Sequence, residues 1–399
     1  MCVSKRGLYL ANAALLLLFM GLVYAWSIFV TPMEAEFGWT RSQTSLTFSI
    51  CMSCFCVGGF TSGLILKRHS PFVVMLLCAL CLTSGFTLTS RIDSLTGLYI
   101  TYGVLVGFGI GLAYNCANCV IVGWFPEKPA FASGVALMGF GLGGLVLGSL
   151  STAMIAALGW RSTFSGLAIA FGAIVLFCSL FLKNPPKEAA ASSSSAPVRN
   201  DEENDEGKRE KICMVRRLSF WIFFPWVVLL TAAGFTLVGN ASLLPLDMGC
   251  SLKVASLLTG VVSVFNGAGR VIVGILCDKF GCRKAMFGVS TGFIVSFTIL
   301  ILAISRHSPE ILTIGYICAG FSFGGIVPIN SAVCYSFYGS ENYAINFSII
   351  NLNAIIASFV GPFLSSGLQA LTGSFISVAV VMIGFGTAAL ALTLILKKP

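Results

Sequence analysis

The sequence predicts an all-α polytopic membrane protein of 12 transmembrane helices in two six-helix halves, and three observations carry that prediction. Apolar residues make up 57% of the 399-residue chain and charged residues only 10%, where a soluble domain carries about a quarter. Mean hydropathy is +0.93. Apolar runs recur along the whole chain, each long enough to cross a hydrocarbon layer of about 30 Å. They lack the alternation of a barrel strand, so helices remain as the spanning structure that satisfies its own backbone groups.

The first run, 8–30, is too long for a secretory-signal core and has no small-residue cleavage site, so it is expected to stay as the first span. Spans two to six are read at 45–66, 72–90, 95–123, 131–152 and 162–182. Residues 183–217, KNPPKEAAASSSSAPVRNDEENDEGKREKICMVRR, are rich in Pro and Ser and then mixed in charge. Such a segment cannot bury a core and reads as a flexible cytoplasmic linker. Spans seven to twelve follow at 218–240, 254–276, 285–305, 310–337, 342–368 and 374–396. The predicted domains are therefore an N-terminal half at 1–182, the linker at 183–217 and a C-terminal half at 218–399.

Lys and Arg stay on the cytoplasmic side of a membrane protein. With the N-terminus inside, eighteen of them fall inside, and five fall outside: Arg41, Arg91, Arg161, Lys253 and Arg306. Both termini are expected in the cytoplasm, the chain a monomer in the plasma or inner membrane with the lipid bilayer as its surroundings. The net charge of +9 then follows from topology, and no basic patch interleaved with aromatics points to nucleic acid. The pairs Cys51/Cys54, Cys78/Cys81 and Cys116/Cys119 imitate C-x-x-C inside apolar runs, without histidine or carboxylate. They read as small hydrophobes, and neither metal nor cofactor is expected.

The two halves echo one another. WFPEKPAFASGVALMGFGLGGLVLGSL (124–150) lines up with FYGSENYAINFSIINLNAIIASFVGPFL (337–364). Two such halves form a parallel repeat, with any binding site expected near the bilayer midplane. The runs GFGIG (107–111), GFGLGG (139–144) and GFSFGG (320–325) follow no strand, so they are read as close-packing surfaces of helices.

One charge stands out. Arg270 is eight residues, about 12 Å of helix rise, from Asp278 at the end of the eighth span. An arginine at that depth costs about 2.5–3.5 kcal/mol on insertion scales. Thr259, Ser263, Asn266 and Arg270 share one helix face. No Asp or Glu lies deep in any span, so no carboxylate is expected to balance Arg270, and the planar guanidinium fork suits a bound carboxylate. A structural arginine bound to backbone carbonyls is the competing reading. Asn266, Tyr24, Tyr114, Asn118, Asn346 and Asn353 are candidate substrate-binding partners of Arg270 in a polar cavity, because tyrosine and asparagine donate hydrogen bonds to carboxylates. Tyr114 and Asn118 (i, i+4) and Asn346 and Asn353 (i, i+7) are expected to pair on shared faces; the asparagines could equally join helices.

Gly274, Asp278, Lys279, Gly281, Arg283 and Lys284 form G-x-x-x-D-K-x-G-x-R-K between spans eight and nine. This resembles the cytoplasmic loop signature of the major facilitator superfamily. It is read as a gating motif: a glycine turn with an acid able to meet a neighbouring helix N-terminus. The first-half equivalent, GLILKRHSP, has Lys67 at the acidic position. Within that superfamily, GLVYAWSIFVTPMEAEFGWTRSQTSLTFSI (21–50), YNCANCVIVGWFPEKPAFASGVALMGFGLGG (114–144) and ENYAINFSIINLNAIIASFVGPFLSSGLQALTGSF (341–375) resemble the oxalate/formate antiporter family, related to the monocarboxylate porters. The resemblance covers nearly the whole chain. It implies a secondary transporter working by alternating access, with Arg270 at the position that pairs with the substrate carboxylate. It also weights Tyr24 and Tyr114 as substrate contacts.

Proton-coupled members carry an acid one turn before that arginine, and here Asn266 stands there. The family's dicarboxylate exchangers use a lysine in the eleventh span, whereas this chain has no Lys or Arg between Glu341 and Lys397. The expected activity is exchange of a small organic anion, a monocarboxylate. The alternatives are a proton-coupled monocarboxylate symporter and a transporter-like anion sensor. No nucleophile, paired acid and base or metal set suggests an enzyme.

Overall fold

The structure, a computed structural model, describes residues 2–184, 214–241 and 243–396, and most of the 183–217 linker lies outside them. The helices in chain order are α1 (Cys2–Met20), α2 (Trp26–Phe37), α3 (Arg41–Leu66), α4 (Pro71–Thr89), α5 (Leu95–Leu98), α6 (Gly107–Trp124) and α7 (Pro129–Phe181). They continue as α8 (Leu218–Asn240), α9 (Leu243–Asp247), α10 (Leu252–Phe280), α11 (Cys282–Arg306), α12 (Pro309–Tyr338), α13 (Tyr343–Asn351), α14 (Asn353–Thr372) and α15 (Phe375–Ile395). Among the described residues there is no strand, and 11 helices are long and apolar enough to cross a membrane. One of them, α7, runs for 53 residues and is broken at Gly159, whose φ of 78° and ψ of 163° suit only glycine. Counting its two parts separately gives the twelve spans read from the sequence.

The helix starts follow local chemistry. Thr40 and Gln43 form a reciprocal capping box at α3. Ser251, Ser308 and Ser374 accept backbone N–H groups at the starts of α10, α12 and α15. Pro71 and Pro309 occupy first-turn positions, where a missing N–H costs nothing.

Three spans expected as continuous helices are interrupted. A 3₁₀ turn at Gly21–Ala25 separates α1 from α2. A π-helical stretch at Tyr99–Val106 precedes α6. The third break is at Leu352, between α13 and α14. The first lies at a close approach of backbones: a Cβ on Gly21 would fall 2.2 Å from Phe140 O, and one on Gly143 2.1 Å from Leu18 O. Backbone lies on backbone there. The glycine runs serve this purpose elsewhere too, with Gly107 against Cys51 O and Gly111 against Phe55 O.

The chain divides into two compact units. The first comprises the described parts of Met1–Ile121, Val135–Asn184 and Phe347–Ser358. Its core stacks Phe86, Phe164, Phe171 and Tyr102. At one end Arg161 binds Glu36 at 2.9 Å and Asp93 at 3.1 Å, while Trp160 Nε1 donates to Glu36 Oε2 at 2.6 Å. The second unit comprises the described parts of Val122–Gly134, Pro185–Asn346 and Phe359–Pro399. In its core Trp226 Nε1 donates to Ser290 Oγ, and Tyr316 Oη to Ala241 O. Ile169, Leu218, Phe363 and Leu371 are among the most exposed large apolar side chains, as expected where the solvent is hydrocarbon rather than water.

The Glu36 cluster makes a pH prediction. Hydrogen bonds from Arg161 and Trp160 hold the Glu36 carboxyl below its ordinary value of 4.5. A carboxylate whose folded value lies below its unfolded one stabilises fully above the unfolded value, and that stability is lost as pH falls through the folded value. The melting-temperature gap between wild type and Glu36→Gln, measured in detergent, is therefore expected to be constant above pH 4.5 and to close below it. A gap that widened on acidification would contradict this account.

Candidate functional site

The site is built on α10. Arg270 is only 4% exposed and Asn266 8%. They sit one turn apart, and Arg270 Nε donates to Asn266 Oδ1 at 3.1 Å. At i, i+4 spacing the amide oxygen becomes an acceptor for the guanidinium. Farther up the same face, Thr259 and Ser263 turn their hydroxyls back onto the carbonyls of Ala255 and Thr259.

The backbone of this stretch is held with little room to move. A Cβ on Gly324 of α12 would fall 2.1 Å from Asn266 O, and one on Gly134 of α7 2.2 Å from Arg270 O. A Cβ on Gly269 of α10 itself would fall 2.2 Å from Phe321 O. Backbone contact on two sides fixes where the guanidinium starts from, and small residues make it possible.

Tyr24, Tyr114 and Asn118 belong to the first unit. Tyr24 lies within the 3₁₀ turn and is 37% exposed, and its ring meets Phe140 edge-on at 5.2 Å. Tyr114 meets the same Phe140 at 5.1 Å, and also Phe55 at 5.0 Å and Phe347 at 6.4 Å. The structure thus gathers the two tyrosines around one phenylalanine, and Asn118 is fully buried one turn beyond Tyr114. Asn346 and Asn353 are both buried. They lie on either side of Leu352, in α13 and α14, within one candidate span, Tyr343–Gln369. Asn353 Nδ2 donates to Ile350 O at 2.6 Å across the break.

Sequence reasoning missed two amides. Asn115 Nδ2 and Asn330 Oδ1, like Asn353 Oδ1, are buried without a hydrogen-bond partner among the described residues. Such atoms are costly to bury. Their signal in the sequence was an amide inside an apolar run, in YNCANC and in GGIVPINSAV.

The charged turn joins two helix ends within the second unit. Asp278 accepts from Ala130 N at 3.1 Å and Phe131 N at 2.7 Å, which caps the N-terminus of α7. Arg283 donates to Thr393 O at 3.1 Å and to Leu394 O, at the C-terminus of α15. Gly281, with φ of 90° and ψ of 154°, makes the turn between α10 and α11. Gly274 lets α10 approach Ala130 O. Lys279 lies over the Phe280 ring. Lys284 lines a largely apolar cavity of about 370 Å³ with Val273, Phe280, Val289 and Phe321, a cavity that Arg270 does not line. Asp278→Ala, which frees two N–H groups, is expected to cost about 0.5–2 kcal/mol of stability. Thermal unfolding in detergent checks this, and an unchanged melting temperature would deny Asp278 its capping role.

Long apolar helices, a buried guanidinium and a turn that ties helix ends together define a polytopic membrane protein. The family model described as Major Facilitator Superfamily matches residues 12–362 and 226–399, and the chain belongs to that superfamily. It is 27% identical to the uncharacterized MFS-type transporter YhjX of Escherichia coli (strain K12), over 85% of this chain and 82% of the relative. It is 23% identical to the oxalate:formate antiporter of Oxalobacter formigenes, over 97% and 91%. To monocarboxylate transporter 12 of Mus musculus it is 25% identical, over 90% and 78%. Among solved structures, it superposes on the transporter FucP in the outward conformation with a TM-score of 0.72 at 14% identity, covering 99% of this chain and 100% of that one. A double-tryptophan mutant of XylE gives 0.74 at 15%, covering 99% and 97%. At such identities the likeness concerns the fold alone.

Proposed function

We propose that this membrane transporter exchanges a small organic anion, a monocarboxylate, and that Arg270 binds the carboxylate. The observation that carries the reading is a nearly fully buried guanidinium in the interior of a span, its starting position fixed by glycine contacts. Asn266 engages Nε, so it orients the guanidinium. The reading gains support from two relatives, named for oxalate and formate and for monocarboxylates. An amide at position 266 cannot carry a proton, which favours exchange over symport through an acid at that place. The absence of Lys and Arg between Glu341 and Lys397 favours one negative charge on the substrate. Tyr24, Tyr114, Asn118, Asn346 and Asn353 are proposed as further substrate contacts, each to be read by its own substitution.

The test is uptake of labelled formate, lactate, pyruvate and oxalate into proteoliposomes, with and without internal counter-substrate. Stimulation by internal monocarboxylate without any pH gradient supports the reading. Uptake that follows an imposed proton gradient and ignores counter-substrate rejects exchange, and transport of none of the four rejects the substrate class.

A further inference from the structure

We infer that Cys277 and Cys282 form a dithiol modification site that closes to a disulfide by exchange with a small-molecule disulfide. The two sulfurs lie 3.5 Å apart and are hydrogen-bonded to one another. The cysteines flank the Gly281 turn: Cys277 is in the last turn of α10, and Cys282 is the first residue of α11. A disulfide needs about 2.05 Å between its sulfurs, so the pair has only a short distance to close. The thiols differ in access. Cys277 is buried, whereas Cys282 is partly exposed and has Ser336 Oγ at 3.8 Å as a second contact. Arg283 and Lys284 follow directly but Arg283 is turned to the Thr393 and Leu394 carbonyls, and the Asp278 carboxylate adjoins Cys277, so the proximity of the sulfurs and the access to Cys282 carry the pairing.

Access sets the order of events. Cys282 gives up its proton and attacks one sulfur of the small disulfide; a mixed disulfide forms at Cys282 Sγ, and the first small thiolate leaves. Cys277 then gives up its proton and attacks Cys282 Sγ, forming the intramolecular S–S bond and expelling the second small thiolate. Two protein thiols are oxidised and one small disulfide is reduced to two thiols, so electrons and protons balance. Nothing in this step depends on what the protein transports. The new bond would bridge α10 and α11 beside Asp278 and Arg283, the two residues that tie this turn to α7 and α15.

The chemistry is read directly by peptide mapping. Trypsin cuts after Arg270, Lys279 and Arg283, so the two cysteines fall on separate peptides, 271–279 and 280–283. The full-length reconstituted protein is treated with oxidised glutathione, quenched with N-ethylmaleimide and digested. The expected product is the linked pair of peptides, formed from most of the protein, released by dithiothreitol and absent from Cys277→Ser. Should that variant fail to fold, Cys282→Ser serves the same purpose. Recovery of both peptides as separate maleimide adducts would overturn the proposal. So would glutathione retained on Cys282 without linkage to Cys277.

Discussion

Arg270→Gln is expected to abolish carboxylate transport while leaving a folded, membrane-inserted protein. Glutamine keeps an N–H that can reach Asn266 Oδ1 but removes the charge and the planar fork. Losing one partner of a buried, charge-assisted pair costs about 2–4 kcal/mol of binding, roughly 30- to 1000-fold in affinity. Arg270→Lys should recover part of the binding, because it restores the charge without the bidentate geometry. Two readouts separate binding from folding: carboxylate uptake in proteoliposomes, and elution of the detergent-solubilised protein as a single folded species. Wild-type uptake by the glutamine variant would remove Arg270 from the substrate path and leave it a structural residue.

The second large effect concerns a methyl group. Alanine at an ordinary helical glycine should stabilise by up to about 1 kcal/mol, since it restricts the unfolded chain. Gly260 of α10 has nothing within 4 Å of its virtual Cβ, so Gly260→Ala should follow that rule. At Gly324 the same methyl would sit 2.1 Å from Asn266 O and 3.1 Å from Arg270 N. Backbone must move to admit it, and overpacking of this kind costs about 1–3 kcal/mol. The two substitutions are therefore expected to shift the melting temperature in opposite directions. Gly324→Ala should also weaken carboxylate binding, because the displaced backbone carries Asn266 and Arg270 with it. Equal shifts of the same sign would show that the α10–α12 approach is looser than its geometry implies.

Much of this architecture could be read before any coordinates, because the bilayer enforces it. Twenty apolar residues in a row have few alternatives, and the twelve spans follow from hydropathy alone. The capping acid was legible as well: Asp278 stands in a spacing that implied a helix N-terminus, and Ala130 and Phe131 supply it. The interruptions were not legible. Hydropathy averages over a whole span, whereas the 3₁₀ turn at Gly21–Ala25 lies where α1 meets Phe140 and Gly143, far away in sequence. For the same reason the break at Leu352, between Asn346 and Asn353, could not be read from the sequence. Arg270 stands out in the sequence as an isolated charge with Asn266 one turn away, but whether the two bond depends on side-chain rotamers that spacing alone does not fix. Asn115 and Asn330 were passed over because burial and lack of a partner are properties of packing.

The cap at Asp278 also carries a statistical consequence. A cap worth up to about 2 kcal/mol multiplies by up to roughly 30 any equilibrium in which this contact is broken, on top of the packing of Gly134 against Arg270 O and of Gly274 against Ala130 O. Its loss would therefore shift such an equilibrium without by itself releasing the start of α7. The turn acts as a weight rather than a lock, and any change that removes the charge at 278 alters that weight without touching Arg270.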